Sequence, residues 1–230
     1  MTRTIPTGCR FLDEQLKDGL QEGRIVLVYG EAETGKTTLA IQCAVNCARM
    51  GYKTIFIDCD HTFFARRMAQ IASKDFEELA PQIILMKPQD FRQQAFIIDR
   101  LAEYVSERVG LIVIDTFTSF YSEGLEGNMR EMSRLNRELN RQMAYLTQIT
   151  RTKNVATLIV SQVRSVFLKA DRTVQPVAMR VLKFWADASV SIWPTAEYNK
   201  IRVNVETPSK KRSKNIFLRI EKGGLRDYRG

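Results

Sequence analysis

From about residue 11 to residue 193, short apolar runs alternate with stretches in which apolar residues recur every three or four positions. A short apolar run bounded by turn residues reads as a buried strand, and 3/4 spacing reads as a helix with one core-facing side. Strands are expected at 25–29, 54–58, 83–86, 111–114, 156–160 and 188–193. Helices are expected over Phe11–Lys17, 38–48, Phe63–Ser73 with a further turn at 76–79, Phe91–Arg108 ended by Gly110, and Met129–Arg151. The stripe Met132, Leu135, Leu139, Met143, Leu146, Ile149 spans only about three heptads, which fits core packing rather than a coiled coil. Past residue 200 the period changes to two. Residues 201–207 and 216–221 read as a hairpin with 208–214 between them, and Leu225–Tyr228 as a last strand. Repeated strand-then-helix order implies an α/β fold, a mostly parallel central sheet with helices on both faces and a C-terminal antiparallel hairpin. No repeat, low-complexity tract or linker interrupts the pattern, so one domain is expected over residues 1–230.

Composition narrows the class. Hydrophobic residues make up 44% and charged residues 27%, the balance of a globular protein with a core. No apolar run approaches the ~18 residues of a membrane span, and the N-terminal residues lack a signal-peptide stretch. The expectation is a cytoplasmic protein with no membrane partner. Cysteines 9, 43, 47 and 59 form no C-x-x-C and the chain holds one histidine, so core thiols fit better than a zinc site. A net charge of +9 suggests a polyanionic partner, nucleic acid ahead of membrane; a generally basic surface is the alternative.

Residues Gly30-Glu31-Ala32-Glu33-Thr34-Gly35-Lys36-Thr37 spell G-x-x-x-x-G-K-[ST] between an expected strand and an expected helix. That context is what a phosphate-binding loop requires. Glycines let the backbone wrap phosphates, and the exposed N–H groups and helix N-terminus face the anion. Lys36 is expected on the β/γ-phosphates, Thr37 on Mg²⁺, and Thr38 beside them. The strand Leu111-Ile112-Val113-Ile114 ends in Asp115, the Walker B pattern, whose carboxylate holds Mg²⁺. ATP and Mg²⁺ are the expected cofactors.

These motifs, the lead-in Thr7-Gly8, Leu12-Asp13, Gly19-Leu20 and Gly23, the Asp60 region and Ser161-Gln162-Val163 together resemble the RecA/RadA recombinase superfamily, most closely its short archaeal RadB branch. The resemblance covers almost the whole chain and implies a RecA-like P-loop NTPase core. Carried over by position, it implies that Gln162 senses the γ-phosphate and couples it to the segment behind it. It implies that Asp60 orients the attacking water, where the family has a glutamate. It places Arg67 against adenine; a solvated helix arginine is the alternative. An aspartate is shorter by one methylene, and a misplacement near 1 Å costs about 10²-fold in rate, so slow hydrolysis is implied.

Two segments resemble the family's DNA-binding loops: 122–130, mixed in charge, and a basic stretch from Arg164 through Lys169, Arg172 and Arg180 to Lys183, with Phe167 as a stacking candidate. Cations for phosphates and an aromatic for bases suit single-stranded DNA. The run Lys210-Lys211-Arg212 is a further phosphate candidate or a solvated turn. Phe167-Leu168-Lys169-Ala170 matches the F-x-x-A polymerisation pattern but lies inside the basic segment and is set aside. The resemblance implies an accessory or mediator role in recombination and repair, with DNA, a main RadA-type recombinase or other repair proteins as partners. The alternatives are a non-hydrolysing ATP-bound interaction module and a KaiC-like regulatory ATPase.

Overall fold

In a computed structural model the chain is described for residues 2–63, 65–124, 129–168, 171–176, 178–208 and 215–228. Strand β1 (Thr4–Ile5) pairs antiparallel with β2 (Leu20–Gln21) around the short helix α1 (Arg10–Gln15). Then come β3 (Ile25–Gly30), α2 (Lys36–Arg49), β4 (Lys53–Asp58), α3 (Ala65–Ala72), α4 (Phe76–Leu79) and β5 (Ile83–Met86). Helix α5 (Phe91–Tyr104), β6 (Val109–Asp115), α6 (Ser119–Glu123), α7 (Met129–Thr152), β7 (Ala156–Leu168) and β8 (Asp171–Pro176) follow. The chain continues through α8 (Met179–Trp185), β9 (Ala188–Pro194), β10 (Lys200–Glu206), β11 (Ile216–Glu221) and β12 (Gly224–Asp227).

Nine strands lie in the order β12-β11-β10-β9-β3-β7-β6-β4-β5, and β8 pairs with the far part of β7. The run from β9 to β5 is parallel, and β9 to β12 pair antiparallel. Every residue of β3 and β6 is buried, as expected for parallel strands covered on both faces. Alternation along β3 divides the core. Val26 and Val28 pack with Leu39 and Ala44 of α2, while Ile25, Leu27 and Tyr29 pack with Leu139, Met143 and Leu146 of α7. The helical stripe on α7 is thus core, as its spacing suggests.

Three expectations change. Helix α5 stops at Tyr104, because Val105 turns extended, and Gly110 lies inside β6 rather than ending the helix. The basic segment after Gln162 is not a loop throughout: β7 runs on to Leu168 and returns as β8, pairing Arg164 with Gln175 and Phe167 with Arg172. The pair β1–β2, too short to leave a periodic signal, closes one end of the core through Ile5 and Leu20.

The helix behind the glycine-rich loop is tied to both ends of the described chain by one buried side chain. Gln42 Nε2 donates to the Thr7 and Leu225 carbonyls at 2.7 and 3.2 Å, and its Oε1 accepts from the Leu225 N–H at 2.6 Å. Orphaning buried backbone groups costs about 1–3 kcal/mol each. Gln42→Ala should therefore lower unfolding free energy by about 3 kcal/mol in urea titration. A loss under about 1 kcal/mol would mean that packing alone holds β12 against α2.

Candidate functional site: a nucleotide cleft at the strand ends

The site forms where β3, β6 and β4 end at one edge of the sheet, beside Gln162 at the point where β7 runs on past them. Gly30 lies opposite Gln162, and Asp58 opposite Asp115, in the parallel ladders. A Cβ on Gly30 would meet the Ile192 carbonyl oxygen at 2.0 Å, so only glycine passes β9 here. Glu31 to Thr34 then curl over the start of α2, with Thr34 Oγ1 donating to the Glu31 carbonyl at 2.8 Å. Gly35, at φ 85°, turns the chain into α2 from the left-handed region. No side chain caps that helix, so its first N–H groups face the loop, ready for an anion.

Lys36, Thr37 and Thr38 occupy the first turn of α2. Lys36 is 8% exposed, and its ammonium donates to the Glu31 carbonyl. Burial lowers its pKa against the opposing pull of Asp115, Asp60 and Glu31. Asp115 is 1% exposed. Burial pushes its pKa up to about 6, with the Thr37 hydroxyl pulling the other way and Asp60 adding to the rise. Its Oδ2 is buried without a hydrogen-bond partner among the described residues. An orphaned carboxylate oxygen beside the Thr37 hydroxyl fits Mg²⁺, as the two motif positions suggest. Among the described residues no group of three or more His, Cys, Asp or Glu is placed to hold a metal. The fit is therefore to an ion held by few protein ligands together with phosphate oxygens.

Asp60 follows β4 and accepts a hydrogen bond from Ser119 Oγ at the start of α6. Burial raises its pKa, the Thr116 hydroxyl lowers it, and Asp58 raises it further. Sequence reasoning missed Asp58. Fully buried, it accepts from the Thr62 and Phe63 N–H groups at 2.9 and 3.1 Å, turning the chain so that Asp60 reaches the site. An aspartate followed four and five residues on by a turn is a readable local signal for such a bond.

A cleft of about 550 Å³ runs from Glu33, Gly35 and Thr37 to Arg67 and Ile220. Arg67 closes its far end. Its guanidinium donates to the Glu221 and Lys222 carbonyls at 2.8 and 2.9 Å, so the plane is fixed by the β11–β12 turn. Gln162 is exposed beside Gly30. Its strand is joined to the segment after Asp115 by the Phe117 N–H on the Val160 carbonyl (2.9 Å) and by Thr118 Oγ1 with Ser161 Oγ (3.1 Å).

Thus the expected phosphate, metal, water-orienting and adenine positions converge. A model of the Rad51 family matches residues 2–228. The chain belongs to the Rad51 family. It is 28% identical over 214 residues to a DNA repair and recombination protein RadB of Methanococcus maripaludis strain C7, covering 93% of this chain and 96% of that one. It is 37% identical over 165 residues to the protein of that name from Pyrococcus furiosus, covering 70% of this chain and 69% of that one. A crystal structure of the RadB recombinase superposes with a TM-score of 0.83 at 27% identity, covering 98% of this chain and all of that chain. The RecA/RadA-type fold and the RadB-like resemblance are therefore borne out.

The basic residues divide differently. Arg180 is exposed on α8. Arg164 and Arg172 lie on β7 and β8, and Lys169, Lys210, Lys211 and Arg212 fall outside the described residues. Lys183 is committed elsewhere: Nζ lies 2.6 Å from Glu206 and 5.3 Å from the Tyr29 ring centroid. Burial pulls its pKa down, but Glu206 and Tyr29 outweigh this and the net shift is upward.

The raised Asp115 pKa has a measurable sign. The folded chain holds this proton up to about 6, whereas the carboxyl's ordinary value is 3.8. Between those values the folded state binds the extra proton, so this contribution is present at low pH and lost as pH rises through 6. In chelator, Asp115→Asn should gain about 2 kcal/mol of unfolding free energy over the parent between about pH 4 and pH 7. A gap that stays constant across that range would remove the buried, metal-free charge from the account.

Proposed function

We propose that the chain is an ATP- and DNA-binding accessory factor of homologous recombination and repair with slow ATP hydrolysis. The observation that carries this reading is the meeting of the Gly35–Thr37 turn with the orphaned Asp115 Oδ2 at one strand edge. In this reading the loop amides and Lys36 bind the β/γ-phosphates, and Thr37 and Asp115 hold Mg²⁺. An ion held by Thr37 and Asp115 would supply neutralisation of the phosphate charge in phosphoryl transfer to water. Asp60 orients that water, Arg67 lies against the base, and Gln162 relays phosphate occupancy to the β7–β8 hairpin. Arg164, Arg172 and Arg180 bind single-stranded DNA through phosphates, with steep salt dependence. The RadB relatives named for DNA repair and recombination support the cellular role, and a main recombinase is the natural protein partner.

A second reading has its own observation. The Asp60 carboxylate is engaged by Ser119, which favours an ATP-bound interaction module that does not turn over. Membership of the Rad51 family favours both over a KaiC-like regulatory ATPase.

Steady-state ATP turnover with and without single-stranded DNA, beside calorimetric ATP binding, separates the readings. Lys36→Ala should weaken Mg·ATP binding by about a hundredfold, because a charge-assisted contact is lost from a buried site. Asp60→Glu should raise turnover, by up to about a hundredfold if carboxylate reach is the limit. Tight ATP binding with no turnover in parent or Asp60→Glu, at any DNA concentration, would select the non-hydrolysing module. Unchanged ATP affinity in Lys36→Ala would sink the nucleotide assignment.

A further inference from the structure

Away from the nucleotide cleft, α7 carries arginines at 130, 134, 137 and 141, spaced so that they share one side of the helix. Arg141 is satisfied within the fold. It donates to both Asp99 oxygens of α5 at 2.7 and 3.2 Å and to Glu138 at 2.7 Å. Arg130 also has an interaction partner. Arg134 and Arg137 are different. Both are exposed, and neither has a hydrogen bond or ion pair among the described residues. The same holds for Arg92, facing them from α5.

These three arginines rim a groove of about 580 Å³ between α5 and α7, with Phe91, Ala95 and Leu135 on its apolar floor. The acids nearby are already used. Glu138 accepts from Arg141 and Gln142, and Asp90 caps α5 by accepting the Gln93 N–H at 2.7 Å. The rim therefore carries three guanidinium groups with no carboxylate of the described chain to meet them.

We propose that this groove docks an acidic segment of a partner protein, a Phe or Leu side chain flanked by Asp or Glu. Three observations select that chemistry. Guanidinium forks match carboxylates in paired geometry, and Arg141 on Asp99 shows that geometry in the same groove. The three free arginines are the charge complement of an acidic segment. The apolar floor asks for an apolar side chain, which a sugar–phosphate backbone does not bring; nucleic acid would satisfy the rim and leave the floor uncovered. The groove and its test are independent of the nucleotide assignment, because binding is measured without ATP.

The probe is a set of fluorescein-labelled peptides of about twelve residues, each with one Phe or Leu among Asp and Glu, read by fluorescence anisotropy near physiological salt. A poly-glutamate peptide of equal length and a labelled single-stranded oligonucleotide serve as comparators. Variants are the triple Arg92→Glu, Arg134→Glu, Arg137→Glu and a matched surface triple, Arg108→Glu, Lys153→Glu, Arg202→Glu, all at exposed positions. The first triple should weaken the best peptide at least about tenfold, the second less than about twofold, and poly-glutamate should bind the parent more weakly than that peptide. Circular dichroism melting confirms that both triples fold. The proposal is overturned if no peptide of the set binds the parent, or if both triples lose equally. It is also overturned if the first triple loses oligonucleotide affinity as steeply as peptide affinity, which would make the groove a DNA path.

Discussion

The backbone ladder that sets Gly30 against Gln162 and Asp58 against Asp115 brings three strand ends, and Gln162 of the longer β7, to one edge of the sheet. A slip of one residue in any of these strands would turn its last side chain to the opposite face. Register is held by burial on both faces, since β3 and β6 offer no solvent side to slip toward. The result is a polar site in which Asp60, Asp115 and Glu31 act on one buried ammonium, Lys36, while Asp58 lies 3.6 Å from the Lys87 ammonium. Low local dielectric makes that imbalance costly. Burial drives both Asp115 and Asp60 toward their protonated forms, and a divalent cation beside Thr37 relieves the same excess.

Much of this was legible in the chain because the relevant residues lie close together in sequence. The glycine-rich loop is one local motif, and the Asp115 strand announces itself by four apolar residues before a carboxylate. Core stripes were equally plain, since helical spacing on α7 depends on the chain alone. The less legible parts are set by distant contacts. Nothing near Gln42 marks it as the side chain joining α2 to Thr7 and Leu225. Lys183 counted as one more cation in a basic stretch until folding set it on Glu206. Helix α5 ended early because Val105 enters the core as extended chain, although its spacing continues the helical stripe.

Polar bonds also connect the faces of the molecule. Gln94 on α5 donates to the Phe117 carbonyl at 3.1 Å and to Gln142 of α7 at 2.8 Å, and both side chains are fully buried. Phe117 follows Asp115 by two residues and bonds to β7, the strand that carries Gln162. One short polar chain thus spans the two helices of the arginine-rimmed groove, the segment after Asp115 and the strand that carries Gln162.

The Gln42–Leu225 bond also bears on the order of synthesis. Its partners are 183 residues apart, so the helix behind the phosphate loop gains this support only after nearly all of the described chain has left the ribosome. Local α–β pairs such as α2 with β4 can collapse early, whereas contacts of this separation close late. The β11–β12 turn that fixes Arg67 arrives at the same time. Nascent chains short of Leu225 would expose an unfinished sheet edge at β11 and carry a glycine-rich loop lacking its backing. During translation, a complete cleft beside the glycine-rich loop therefore marks a chain that has closed on itself.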